Sequence, residues 1–77
     1  MSPRLPALRG EAVVRVLKKA GFVVLRIRGS HHIMALPDDP ARRTVVPIHT
    51  GQDIKRGLLR KIIDDAGMTV DEFIGLL

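Results

Sequence analysis

Apolar residues recur at helical spacing early in the chain. Val13, Val16, Leu17 and Ala20 stand at i, i+3, i+4 and i+7, with Glu11, Arg15, Lys18 and Lys19 on the other side, which predicts an amphipathic helix from about Arg9. Gly21, after a last turn rich in lysine, is the expected stop, and the lysines suit the negative end of the helix dipole. From Phe22 to Arg28 the period shortens to two. Val23, Leu25 and Ile27 alternate with Val24, Arg26 and Arg28, which predicts a strand with one apolar face and one that becomes cationic toward its end. Gly29-Ser30 is a two-residue hairpin signal. A second strand is expected from His31 to Leu36, with His31, Ile33 and Ala35 on one face and His32, Met34 and Leu36 on the other.

Pro37-Asp38-Asp39-Pro40 reads as a loop, and a third strand is expected over Thr44 to Ile48. Pro47 has no N–H for the ladder and so argues for an edge strand or a strand end. Helical spacing returns with Leu58, Leu59, Ile62, Ile63 and Ala66, predicting a second helix over about Lys55 to Ala66 with Asp53 as candidate N-cap and Gly67 as stop. Thr69-Val70-Asp71-Glu72 fits a capping box and opens a short terminal helix. The order α-β-β-β-α-α, with an antiparallel three-stranded sheet covered on one face, is a two-layer α+β domain. Residues 1–8, with Pro3 and Pro6, are expected to be a flexible lead-in to a single domain over 9–77.

Composition narrows what such a domain can do. At 77 residues it is a small domain, of a size that buries only about 60% of its unfolded surface. With no cysteine, disulfides, thiolate zinc sites and thiol nucleophiles are all excluded. The longest apolar runs, such as Phe22 to Leu25, fall far short of the ~20 residues that span a bilayer, so a cytoplasmic location without membrane contact is expected. The net charge is +5, unevenly spread: residues 1–63 hold 13 basic and 4 acidic residues, and 64–77 hold 4 acidic residues and no basic ones. Nine of the basic residues are arginine, whose planar fork matches phosphate, so a polyanion is the natural partner. Two phenylalanines and no tryptophan or tyrosine leave little for base stacking, so backbone and shape contacts should dominate.

The candidate chemistry rests on His31, His32 and His49, which all fall at strand ends beside turns. Histidine exchanges protons near neutrality, and no Cys or Tyr competes for that role. His31 and His32 point to opposite faces, so at most one of them serves a given cleft. If Ile33 and Ala35 are buried, His31 faces the core, and parity does not favour it. A single histidine at a strand end is more often a surface residue than a catalyst. Adjacent histidines on a strand are poor chelators, and no metal site is expected. Arg26, Arg28, Lys55, Arg56, Arg60 and Lys61, with the amides at the start of the second helix, form the expected anion-binding set.

Lys18-Lys19-Ala20-Gly21-Phe22, Arg28-Gly29-Ser30-His31-His32-Ile33, Val45-Val46-Pro47-Ile48-His49, Ile54 to Ile62 and Ala66-Gly67-Met68-Thr69 together resemble the HicA (YcfA-like) toxins in order and spacing, across residues 9–74. The resemblance implies a double-stranded-RNA-binding-domain-like fold and an mRNA interferase of a type II toxin-antitoxin system. It implies metal-independent endoribonuclease chemistry without a cofactor, neutralised by a HicB-type antitoxin in a hetero-oligomer, with the free toxin a monomer. The histidine after Gly-Ser, His31, takes the catalytic position. Gly29 and Ser30 join the RNA-binding set, and His32 and His49 are auxiliary. The alternative is a non-catalytic module of the same fold that grips RNA.

Overall fold

The structure, a computed structural model, describes residues 5–77. Helix α1 (Gly10–Lys19) buries Val13, Val14, Val16 and Leu17 and presents Glu11, Arg15, Lys18 and Lys19 outward, as its periodicity predicts. It ends in a Schellman motif, in which Phe22 N–H donates to the Leu17 carbonyl at 2.9 Å and Gly21 N–H to that of Lys18 at 3.0 Å. Phe22, the residue carried past the end, is itself buried and joins the core.

Three antiparallel strands follow, β2 (Val23–Arg28), β3 (His31–Leu36) and β4 (Asp39–Pro47), in spatial order β2-β3-β4. The β2–β3 turn is Gly29-Ser30, with φ +59° at Gly29. A positive φ at the first central residue only is the signature of a type II′ hairpin turn, where glycine is strongly preferred. β4 begins earlier than its apolar pattern indicates: Asp39 and Pro40, expected in a loop, already belong to the strand, and Leu36 pairs with Asp39 across an irregular register step. Pro40 is admissible because β4 is an edge strand. The same holds for Pro47, at its far end.

The strand beginning at Val23 departs from its expected alternation. Val24 pairs with Met34, but the next partner of β3, Ile33, is met by Arg26, so Leu25 is the extra residue of a β-bulge. The side-chain period is two, so this one-residue shift exchanges the faces of everything beyond it. Ile27, expected to share a face with Val23, stands opposite His32, and Arg26 and Arg28 stand opposite Ile33 and His31.

Helix α2 (Arg56–Asp65) buries Leu59, Ile62 and Ile63 and ends, like α1, in a Schellman motif at Gly67. Its N-cap is Lys55, not Asp53. Asp53 lies in a two-residue strand, β5 (Asp53–Ile54), which pairs with β1 (Leu8–Arg9) in a second small sheet, and its carboxylate meets Arg9 Nε at 3.4 Å. Of the lead-in expected over residues 1–8, 1–4 lie outside the described residues, whereas Leu5 is buried and Leu8 is paired. Helix α3 (Val70–Gly75) carries the capping box in full: Glu72 N–H donates to Thr69 Oγ1 at 3.0 Å, and Thr69 N–H donates to Glu72 Oε1 at 2.9 Å. The arrangement is α-β-β-β-α with a short third helix, the double-stranded-RNA-binding-domain-like α+β fold.

Both long helices pack on β4. Met34, Thr44 and Val46, at or near zero exposure, form the sheet's contribution to a core completed by Val13, Leu17, Leu59, Ile62, Ile63 and Phe73. His32 shares that face through its pairing with Val46. The core face is therefore that of His32 and Met34, and His31 stands on the opposite, helix-free face. Ala35 is buried there nonetheless, as a small residue between its partners Val23 and Arg43.

Gly10 sits against the end of β4, where a Cβ would stand 2.5 Å from the Pro47 carbonyl oxygen and 2.9 Å from Ile48 Cγ1. Gly10→Ala should lower stability by about 1–3 kcal/mol, the usual cost of overpacking, read by urea denaturation. Hydrogen bonding from Thr69, chiefly from its backbone N–H and secondarily from its side chain, holds the Glu72 carboxyl below its ordinary value of 4.5. Such a group adds stability that is complete above its unfolded pKa and lost as pH falls through its folded one. In thermal unfolding between pH 5 and 2.5, wild type should therefore lose stability relative to Glu72→Gln, which keeps the cap without the titration.

Candidate active site on the open sheet face

Cross-strand partners share a face, so the pairings that flank His31 define its surroundings. Arg28 stands opposite it on β2 and Pro47 on β4; one row further in, Ile33 lies between Arg26 and Val45. His31, Arg26, Arg28 and Val45 are exposed. The result is a cationic edge along β2, an imidazole at the hairpin end and an apolar strip through Ile33 and Val45. The bulge at Leu25 assembles this row: in regular pairing Arg26 would oppose His32 on the core face.

From His31 a cleft of about 540 Å³ runs past Pro47 and Val45, over the free edge of β4, to α2. Its walls include His49, Gln52 and Asp53 of the connecting loop and β5, with Lys55, Leu58, Lys61 and Asp65 from the start and flank of α2. Lys61 Nζ donates to Asp65 Oδ2 at 3.0 Å, one helical turn on. Lys55, the N-cap, offers no side-chain oxygen to the first amides of α2, so these are left for solvent or an anion.

The residues singled out from the sequence thus separate into groups. His31, His49, Lys55 and Lys61 share the cleft, and Arg26 and Arg28 adjoin it on the same sheet face. Gly29 and Ser30 form the turn beside His31, and the Ser30 carbonyl accepts a hydrogen bond from Ile48 N–H at 2.7 Å, which ties the turn to the end of β4. Arg56 and Arg60, though exposed, are not among the cleft residues. At 100° per residue Arg60 is a quarter-turn or more from Lys61, and Arg56 lies on the same flank as Arg60, one turn back. His32 is removed from His31 altogether: it faces the core, with Nδ1 buried and lacking a protein partner among the described residues.

Arg42, within β4, has a structural position. Its Nε donates to the Ala66 carbonyl at 2.8 Å, closing the end of α2, and its guanidinium lies 5.8 Å from the centre of the Phe22 ring. Sequence reasoning did not find Gln52, Leu58 or Asp65 as cleft residues. They are brought in by the folding back of residues 49–55, where Gln52 N–H donates to the His49 carbonyl at 3.0 Å. The glycine in that turn was the available signal.

Comparison with known families bears on this site. The family of HicA toxins of bacterial toxin-antitoxin systems matches residues 10–68. The chain belongs to that family. The match runs from the first residue of α1 to the end of the Schellman motif after α2, and so includes β2, the hairpin turn, His31, the Val45-Val46-Pro47-Ile48-His49 segment and the whole cleft. No curated protein matches the chain closely. As a HicA-family member it is a toxin of a toxin-antitoxin system, and membership implies an antitoxin partner. Among the described residues no helix is long and apolar enough to cross a membrane.

Proposed function

We propose that this HicA-family toxin is an mRNA endoribonuclease with His31 as general base. The observation that carries the reading is the placement of His31 on the helix-free face, exposed and directly opposite Arg28, at the mouth of a cleft that contains two lysines. His31 takes the proton of a ribose 2′-OH, which attacks the adjacent phosphorus. Arg28 and Arg26 hold the phosphate and oppose its developing charge, with Lys55 and Lys61 along the onward path of the strand. Gly29 and Ser30 bring backbone close to the same phosphate. Arg56 and Arg60, on the far flank of α2, meet only a longer RNA. The chemistry calls for an imidazole, cations and a 2′-OH, and uses no metal or cofactor.

A face with exposed Val45 next to Ile33 and flanking arginines also suits the antitoxin. A HicB-type partner that covers this face with acidic and apolar groups would block RNA and shield the apolar strip together, leaving the toxin monomeric only when free.

His31→Ala should abolish growth arrest and lower RNA cleavage by about 10²- to 10⁴-fold, the usual worth of a positioned base, while RNA binding measured by fluorescence anisotropy is retained. Full cleavage by this variant would remove His31 from the mechanism, and binding of RNA without any cleavage by wild type would favour the non-catalytic module. A DNA strand of the same sequence should bind and stay intact. Arg28→Gln should weaken RNA binding and reduce the dependence of log K on log salt by about 0.7, one phosphate contact on a single strand; an unchanged slope would place Arg28 off the RNA.

A further inference from the structure

His31, at the start of β3, and His49, in the loop after β4, line one cleft, and we infer that His49 is the general acid that protonates the leaving 5′-oxygen in the reaction proposed for His31. The assignment rests on that cleavage reading and adds a second catalytic group to it.

The geometry begins with the strand pairing. His31 stands opposite Pro47, and Ile48 N–H donates to the Ser30 carbonyl at 2.7 Å, so the β3–β4 pairing continues past the last regular residue of β4. Hydrogen-bonded and non-hydrogen-bonded pairs alternate in an antiparallel ladder, which makes His31–Pro47 a non-hydrogen-bonded pair, the closer kind. The missing N–H of Pro47 therefore costs the ladder nothing on that side. His49 follows two residues beyond Pro47, past the end of β4, and lines the same cleft as His31; extending the ladder to it would make it the diagonal neighbour of His31, with Cα atoms about 7–8 Å apart. Its backbone is held on the other side by Gln52 N–H, which donates to the His49 carbonyl at 3.0 Å. Both imidazoles are exposed and both line the cleft.

That spacing leaves room for a phosphodiester between the rings, with the 2′-oxygen toward one and the 5′-oxygen toward the other. The remaining titratable groups of the cleft are otherwise engaged or unsuited. Asp53 is paired with Arg9 at 3.4 Å and Asp65 with Lys61 at 3.0 Å, and Lys55 serves better as a fixed positive charge than as a proton donor. No tyrosine or cysteine exists in the chain. Two imidazoles in opposite protonation states are the pair that can remove and supply a proton near neutrality. The step balances without another reactant. The 2′-OH proton passes to His31 as the O2′–P bond forms; the P–O5′ bond breaks, and O5′ takes a proton from His49. The products are a 2′,3′-cyclic phosphate and a 5′-hydroxyl.

The test compares ordinary RNA with RNA in which sulfur replaces the bridging 5′-oxygen at the cleaved bond. A thiolate leaves without being protonated, so the second substrate bypasses a general acid and still needs a general base. His49→Ala and His49→Gln should both lose about 10²- to 10⁴-fold on ordinary RNA and cut the sulfur-bridged substrate within a few-fold of wild type. His31→Ala should fail on both. Equal losses of the His49 variants on the two substrates, or undiminished cleavage of ordinary RNA by them, would overturn the assignment while leaving His31 in place. A wild type that cuts neither substrate would overturn the cleavage reading, and this one with it.

Discussion

Helices α1 and α2 both rest on the same face of β4, and that shared contact governs the remaining geometry. Gly10 allows it: with a Cβ absent, the start of α1 reaches the carbonyl of Pro47 and the backbone of Ile48. Val13, Leu17, Leu59 and Ile62 then close over Met34, Thr44 and Val46. A sheet of three strands packed by helices on one side must leave its other side open. In an antiparallel sheet covered on one side, the solvated face is commonly polar. Here it carries Val45 exposed, with Arg26, Arg28 and His31.

The contents of that open face depend on one extra residue. Regular pairing of β2 with β3 would send Arg26 toward the core and Ile27 toward His31. The bulge at Leu25 reverses this, so that the sheet gains two cations beside the imidazole. The position opposite His32 is taken instead by Ile27, which remains exposed near the end of β2.

At the other end of the molecule charge has a purely structural use. Arg42 joins three elements, through the last carbonyl of α2, the Phe22 ring after α1 and its own place on β4. It illustrates why a count of basic residues overstates a nucleic-acid surface. Lys61, paired with Asp65, and Arg9, paired with Asp53, are likewise partly spent within the protein. Of the cations beside His31 and in its cleft, Arg26, Arg28 and Lys55 have no ion-pair partner among the described residues, a smaller set than the composition offers.

Both long helices, the hairpin turn, the capping box and the α+β order were legible in the sequence, because each depends on residues within a few positions of one another: a 3.6-residue period, Gly29 at a turn, Thr69 and Glu72 three apart. His31 was legible through the segments surrounding it. What the linear pattern left open was which face of β3 is the core, since Ile33 and Ala35 on one side are as apolar as Met34 and Leu36 on the other. Only packing decided that, by placing the helices over Met34 and Val46. The bulge, the β1–β5 pairing that took Asp53 from its expected cap, the early start of β4 and the meeting of His31 with His49, Lys55 and Lys61 were decided likewise. Each is a contact between segments separated along the chain, whose energy depends on partners that no local pattern identifies.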